Sequence, residues 1–143
     1  MSRPVVALTR RLPADVERRV AERFDVRPSA DDRSLAPAEL AATLRDADAV
    51  LCTAEVIGEG ARRSGGAPRA RLLANFGVGV NHIDLDAARA HGLVVTNTPG
   101  VLTDDTADLA LALMLMAARR LGEGERELRA GRWTGWRPTH LLG

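Results

Sequence analysis

The chain contains no lysine and no tyrosine. The first absence removes a P-loop lysine, a Schiff-base lysine and a lysine general base; the second removes a tyrosine acid. Every basic residue is an arginine, and formal net charge is only +1. Bulk electrostatics therefore point to neither nucleic acid nor a membrane surface. A single cysteine, Cys52, excludes an internal disulfide and fits a reducing compartment. It lies in the apolar run "DAVLCT", where it reads as a small buried hydrophobe rather than a reactive thiol. His82, His91 and His140 lack close ligand spacing and have no second cysteine, so no metal site is expected. The start "MSRPVVALTRR" lacks the apolar core of a signal peptide. The longest apolar run, residues 109–118, is too short for a bilayer and suits a buried helix. A cytoplasmic protein is expected.

What is present looks globular. The 143 residues can bury a sizeable core, and 45% are hydrophobic against 27% charged. Short β-rich runs alternate with helical patterns: "VVALT", "DVRP", "DAVLCT", "RLLANF" and "LVVT" read as strands. "PADVERRVAERF", "APAELAATLRDA", "EVIGEGARRS" and "DLDAARAH" read as helices, the third weakened by Gly58 and Gly60. "GGAP", at 65–68, is a loop. Such alternation argues for a five-stranded parallel sheet covered on both faces, doubly wound and flavodoxin-like. Ligands of such sheets bind at the carboxyl ends of the strands, here around Thr9, Cys52–Thr53, 76–79 and 96–98.

After Pro99 the pattern changes. "TDDTADLALALMLMAARRLG" reads as one long helix, with Thr103 or Asp105 at its start and Arg119 and Arg120 at its end. Its middle is apolar all round, which requires cover on more than one side. A short polar helix and two tryptophans, Trp133 and Trp136, follow. The tryptophans sit among Gly, Thr, Arg and Pro, which suits an arm or interface better than a core. Residues 1–99 are read as one domain and 100–143 as a packing and linking segment. The open end at "THLLG" suggests a piece of something larger.

One stretch carries the chemistry. "RLLANFGVGVNHID" runs a strand into Gly77 and Gly79 and then turns polar. A dinucleotide loop needs G-x-G-x-x-G after the first strand; here His82 holds the third glycine position and the strand is the fourth. A pyrophosphate loop is therefore excluded. Two readings remain on spacing alone: a plain turn, or a small-anion site. For the second, Gly77 and Gly79 allow positive φ and close approach, and consecutive amides form a concave nest of the size of a carboxylate.

The chain from about Leu72 resembles the D-isomer-specific 2-hydroxyacid dehydrogenases. "NFGVGVNHIDLDAARAHGLVVTNTPGVLTDDTADLALALMLMAARR" carries the likeness, with "GRWTGWRP" and its tryptophan pair similar to the glyoxylate/hydroxypyruvate reductase branch. The first 70 residues are only compatible with it. The resemblance implies a substrate domain at 1–99, then an interdomain helix and dimerisation arm, with the Rossmann domain beyond the break at "HLLG". It implies that Val78 and Gly79 hold the substrate carboxylate by backbone amides, with Gly77 shaping the loop. It implies that Thr106 lies near the nicotinamide end of the cofactor; the alternative is that Thr106 only supports the helix start. Asn81 stands where many relatives have aspartate, and is expected to cap the following helix. The arm would pack across a homodimer, with Trp136 reaching toward the partner's cleft. The family's substrate-binding arginine, histidine acid/base and its carboxylate partner belong to the second domain, so no catalytic residue is assigned here, His82 included. NAD(P)H would serve the full-length enzyme, with none bound by this chain alone. The implied activity is NAD(P)H-dependent reduction of a 2-oxo acid such as glyoxylate or hydroxypyruvate, with the 143 residues inactive by themselves.

Two rival classes remain. The apolar helix and tryptophan arm suit a non-catalytic dimerisation module of the corepressor kind. A phosphoacceptor receiver domain shares the fold but needs acids after the first strand, an aspartate after the third and a lysine near the fifth. The chain offers Thr9–Arg10, Thr53 and no lysine.

Overall fold

In a computed structural model the described residues are 2–53, 55–58 and 68–140. Five strands form one parallel sheet: β1 (Val5–Leu8), β2 (Asp25–Arg27), β3 (Ala49–Cys52), β4 (Leu72–Asn75) and β5 (Val94–Thr96). Their order is β2-β1-β3-β4-β5. That is the order of the flavodoxin-like doubly wound sheet, whose topology reverses between β1 and β3. The expected α/β architecture is thus observed, with each strand within a residue or two of the run that announced it.

The helices α1 (Ala14–Ala21), α2 (Pro37–Asp46) and α3 (Leu85–Ala90) connect the strands. α2 shows why its sequence is helical. Pro37 occupies the first helical position, where its missing N–H costs nothing. The Glu39 carboxylate reaches back to the Ala36 N–H at 2.8 Å. Leu40, Ala41 and Leu44 share one face and are buried. Leu40 and Leu44 meet Ala7, Val50, Cys52 and Leu73 from the central strands in one core, which also takes in Ile57, Ile83, Ala88 and Leu93. The outer helix α1 buries nothing fully.

Two local expectations are corrected, and a third lies mostly outside the described residues. Asn81 does not cap α3: Asp84 is the N-cap, and its carboxylate accepts from the Ala87 N–H at 2.9 Å. Asp84 is adjacent to the helix start, whereas Asn81 is too far upstream to reach its first amides. Of the expected helix at 55–64, only 55–58 are described, and there Ile57 forms a parallel bridge with Ile83. The remainder, like 65–67 of the "GGAP" loop, lies outside the described residues. The long helix also ends early. It is α4 (Thr103–Ala118), its N-cap is Leu102 with no side-chain cap, and Arg120 then takes a left-handed φ of 51° before α5 (Leu121–Arg129).

The chain divides into two compact units, Met1–Pro99 and Gly100–Gly143. Within the second, α4 and α5 pack on one another. Leu109, Leu111, Leu113, Met114 and Leu115 of α4 are all more than half exposed. No helix among the described residues is long and apolar enough to cross a membrane.

Candidate substrate-carboxylate loop

The carboxyl end of β4 is where the first unit becomes polar. Asn75, the last residue of β4, is buried at 3% exposure. An asparagine tolerates that burial only if its amide is bonded, and here both ends of it are. Nδ2 donates to the carbonyls of Gly77 and Gly79, at 3.0 Å each. Oδ1 lies 3.1 Å from His82 Nε2 and 3.8 Å from the Cys52 thiol, the latter a long and weak contact. With the amide donors committed to two carbonyls, Oδ1 is the acceptor, so His82 Nε2 carries a proton.

The loop that follows is tied to its neighbours at both ends. The Phe76 N–H donates to Cys52 O at 2.8 Å. At the far end Ile57 N–H donates to His82 O and Asp84 N–H to Ile57 O, both at 2.8 Å. The exit of β5 braces the middle: Asn97 Nδ2 donates to Val78 O at 2.9 Å, and Thr98 N–H to Gly77 O at 3.1 Å. The carbonyls of Gly77, Val78 and Gly79 are therefore taken. The loop's amides are not: among the described residues, the N–H groups from Val78 through His82 have no hydrogen-bond partner, while that of Gly77 is used by Asn75 O. Consecutive free donors on an exposed loop suit a small anion.

One part of the glycine argument is overturned. Neither Gly77 nor Gly79 adopts a positive φ, so the loop is not an alternating left-handed nest. The glycines matter through space. A Cβ at Gly79 would meet nothing within 4 Å, whereas one at Gly77 would touch Asn75 Nδ2 at 3.4 Å. The surface is open rather than enclosed, with Phe76 60% and Val78 43% exposed.

The neighbouring strand ends are polar and buried as well. Thr9 is fully buried, and Glu55 accepts from Thr53 N–H at 3.0 Å. Burial, reinforced by the Glu55 charge, pushes the Cys52 thiol up to about 12. His82 is half-buried and bonded within the loop. Among the described residues no group of His, Cys, Asp and Glu is arranged to hold a metal ion.

The other nominated residues belong to the second unit. Thr106 lies in the first turns of α4, exposed, with its N–H on Leu102 O at 3.0 Å. Trp133 and Trp136 are 54% and 71% exposed and flank Gly135, whose φ is 105°. Two residues of the loop's support, Asn75 and Asn97, are not singled out by sequence reasoning. Asn75 reads there only as part of a strand and Asn97 only as part of "NTPG". The available signal is an asparagine closing an apolar strand just ahead of a glycine pair, where an aliphatic residue would be ordinary.

Comparison with known proteins follows the same lines. Residues 6–133 match the family described as D-isomer specific 2-hydroxyacid dehydrogenase, catalytic domain. A glyoxylate reductase of Thermococcus onnurineus (strain NA1) is 37% identical over 146 residues, spanning 99% of this chain and 43% of that protein. The solved TT0316 protein of Thermus thermophilus superposes with a TM-score of 0.84 at 41% identity, over 97% of this chain and 44% of that one. An NADPH-dependent glyoxylate/hydroxypyruvate reductase of Sinorhizobium meliloti, solved with NADP and malonate, gives 0.74 at 33% identity, over 92% and 40%. The chain thus spans less than half the length of these relatives.

Proposed function

The chain belongs to the D-isomer specific 2-hydroxyacid dehydrogenases, whose catalytic domain it matches, and from that premise we propose that it forms the substrate-holding wall of an NAD(P)H-dependent 2-oxo acid reductase. The observation that carries this reading is the run of unpartnered amides that begins at Val78 and Gly79, at the carboxyl edge of the sheet. A carboxylate accepts two such bonds, and hydrogen bonds to a charged acceptor are the strong kind. Among relatives, a glyoxylate reductase and a reductase solved with the dicarboxylate malonate supply the substrate class: a small 2-oxo acid such as glyoxylate or hydroxypyruvate.

The remaining roles complete the proposal. Gly77 shapes the loop, and Gly79 leaves room for the ligand because no side chain is there. Thr106 sits near the nicotinamide end of the cofactor. Residues 1–99 are the substrate domain; 100–143 are the interdomain helix and an arm that pairs two copies, with Trp133 and Trp136 at the interface. The bare apolar surface of α4 and the exposed tryptophans support that pairing. The cofactor supplies hydride when bound, but the described residues of this chain do not fit its pyrophosphate. His82 stands at the third glycine position with its ring bonded to Asn75, so no hydride step is assigned to these residues. Their part is to fix and orient the carboxylate.

Calorimetric titration of the chain with glyoxylate tests this directly. Saturable binding is expected, and Val78→Pro, which removes one donor, should weaken it about ten-fold or more. Equal binding by the variant would show that the loop amides do not hold the substrate.

A further inference from the structure

The free amides of Val78 and Gly79 are not aimed by glycine conformation, since neither glycine is left-handed. Something else must aim them. A trans peptide is planar, and its C=O and N–H point in opposite directions. Fixing the carbonyl of one residue therefore fixes the N–H of the next. Gly77 O is held by Asn75 Nδ2 at 3.0 Å and by Thr98 N–H at 3.1 Å, which directs the Val78 N–H to the opposite side. Val78 O is held by Asn97 Nδ2 at 2.9 Å, which directs the Gly79 N–H. Gly79 O is held by Asn75 Nδ2 at 3.0 Å, which directs the Val80 N–H.

We propose that Asn75 and Asn97 are positioning residues that aim the two carboxylate-binding amides, Asn97 setting Gly79 and Asn75 sharing Val78 with the Thr98 backbone. Neither asparagine touches the substrate; each acts through a peptide plane. The proposal rests on reading the loop as a carboxylate cradle. The division of labour is unequal. Among the described residues Asn97 alone holds the 78–79 peptide, whereas the 77–78 peptide has two holds. His82 adds a further constraint, because its Nε2 on Asn75 Oδ1 keeps the Asn75 amide from turning over. This gives the asparagine of "NTPG" a task that spacing alone does not reveal.

The test is nuclear magnetic resonance on the weakly aligned, ¹⁵N-labelled 143-residue chain, reading N–H residual dipolar couplings at 78, 79 and 80 and the response to glyoxylate. Asn97→Ala should collapse the Gly79 coupling, leave Val78 at its wild-type value, and weaken glyoxylate about three- to ten-fold, as expected for one lost neutral bond. Asn97→Asp, which keeps the shape but lacks the donor, should likewise collapse the Gly79 coupling and, by adding a negative charge beside the cradle, weaken glyoxylate further. Asn75→Ala should change Val80 most, Val78 partly and Gly79 not at all. Asn75 is buried, so that variant is open to unfolding; the exposed Asn97 then decides the matter alone. Unchanged couplings in Asn97→Ala, with the wild-type glyoxylate response intact, would overturn the positioning role only. A wild-type chain whose Val78 and Gly79 amides ignore glyoxylate would overturn the carboxylate reading and this proposal with it.

Discussion

At Gly79 an added methyl group would meet nothing within 4 Å, and the backbone there is not left-handed. Gly79→Ala should therefore change folding stability by no more than about 0.5 kcal/mol. If that empty space is where a carboxylate sits, the same variant should weaken glyoxylate several-fold. Thermal melting and calorimetry on one preparation separate the two effects, and unchanged binding would count against the site. Cys52 offers a second single-residue expectation. Its thiol is fully buried and pushed up to about 12, so almost no thiolate exists near neutral pH. A thiol reagent at pH 8 should leave the native chain unmodified and react fully once denaturant is added; rapid native labelling would show the core to be open. At this scale the sequence shows where the loop lies but not how it is built. "GVG" announces the loop, and Cys52 announces its own burial. That the loop carbonyls bond to Asn75 and Asn97, with neither glycine left-handed, depends on contacts between β4 and the β5 exit. No local pattern encodes those.

Helix ends and strand order set the next scale. Gly92 follows the end of α3 with a φ of 66°, the left-handed cap position that a side chain resists. Gly92→Ala should cost about 1 kcal/mol, visible as a lower midpoint in urea with an unchanged slope. The start of α2 carries a pH dependence. Arg33 and the Ala36 N–H hold the Glu39 carboxyl down to about 2. A folded-state value below that of the unfolded chain means the contribution is complete above about pH 4.3, the unfolded value. It disappears as pH falls from there toward 2. Glu39→Gln should flatten the acid limb of the stability curve in that window and leave higher pH with a constant small loss. The elements are largely legible, because strand and helix periods differ and Pro37 and Gly92 punctuate them. Two ends are not. Asn81 and Asp84 are both chemically able caps, and only the chain's path into α3 chooses Asp84. The apolar run past Thr103 contains no breaker before Arg119–Arg120, where a left-handed arginine turns the chain.

Across the whole molecule the two units differ in what they bury. Among its described residues the first has a buried apolar core packed against its sheet. The second presents α4 with leucines and methionines largely exposed, in a chain that spans less than half the length of its relatives. An apolar helix of this kind favours association. Sedimentation should find the chain self-associated at micromolar concentration, and Leu111→Glu with Leu115→Glu should return it to a monomer; a wild-type monomer would contradict the paired arm. Catalysis belongs to this scale too, because a loop that only held a carboxylate would position substrate without supplying hydride or proton. The 143 residues alone should reduce no glyoxylate with NADH or NADPH, and steady turnover by the pure chain would break that division of labour. The central claim is narrower and is tested most directly by a two-dimensional ¹⁵N–¹H titration with glyoxylate. The account predicts saturable downfield shifts concentrated at the Val78 and Gly79 amides. Shifts confined to other parts of the chain, with those two amides unmoved at saturating ligand, would contradict it.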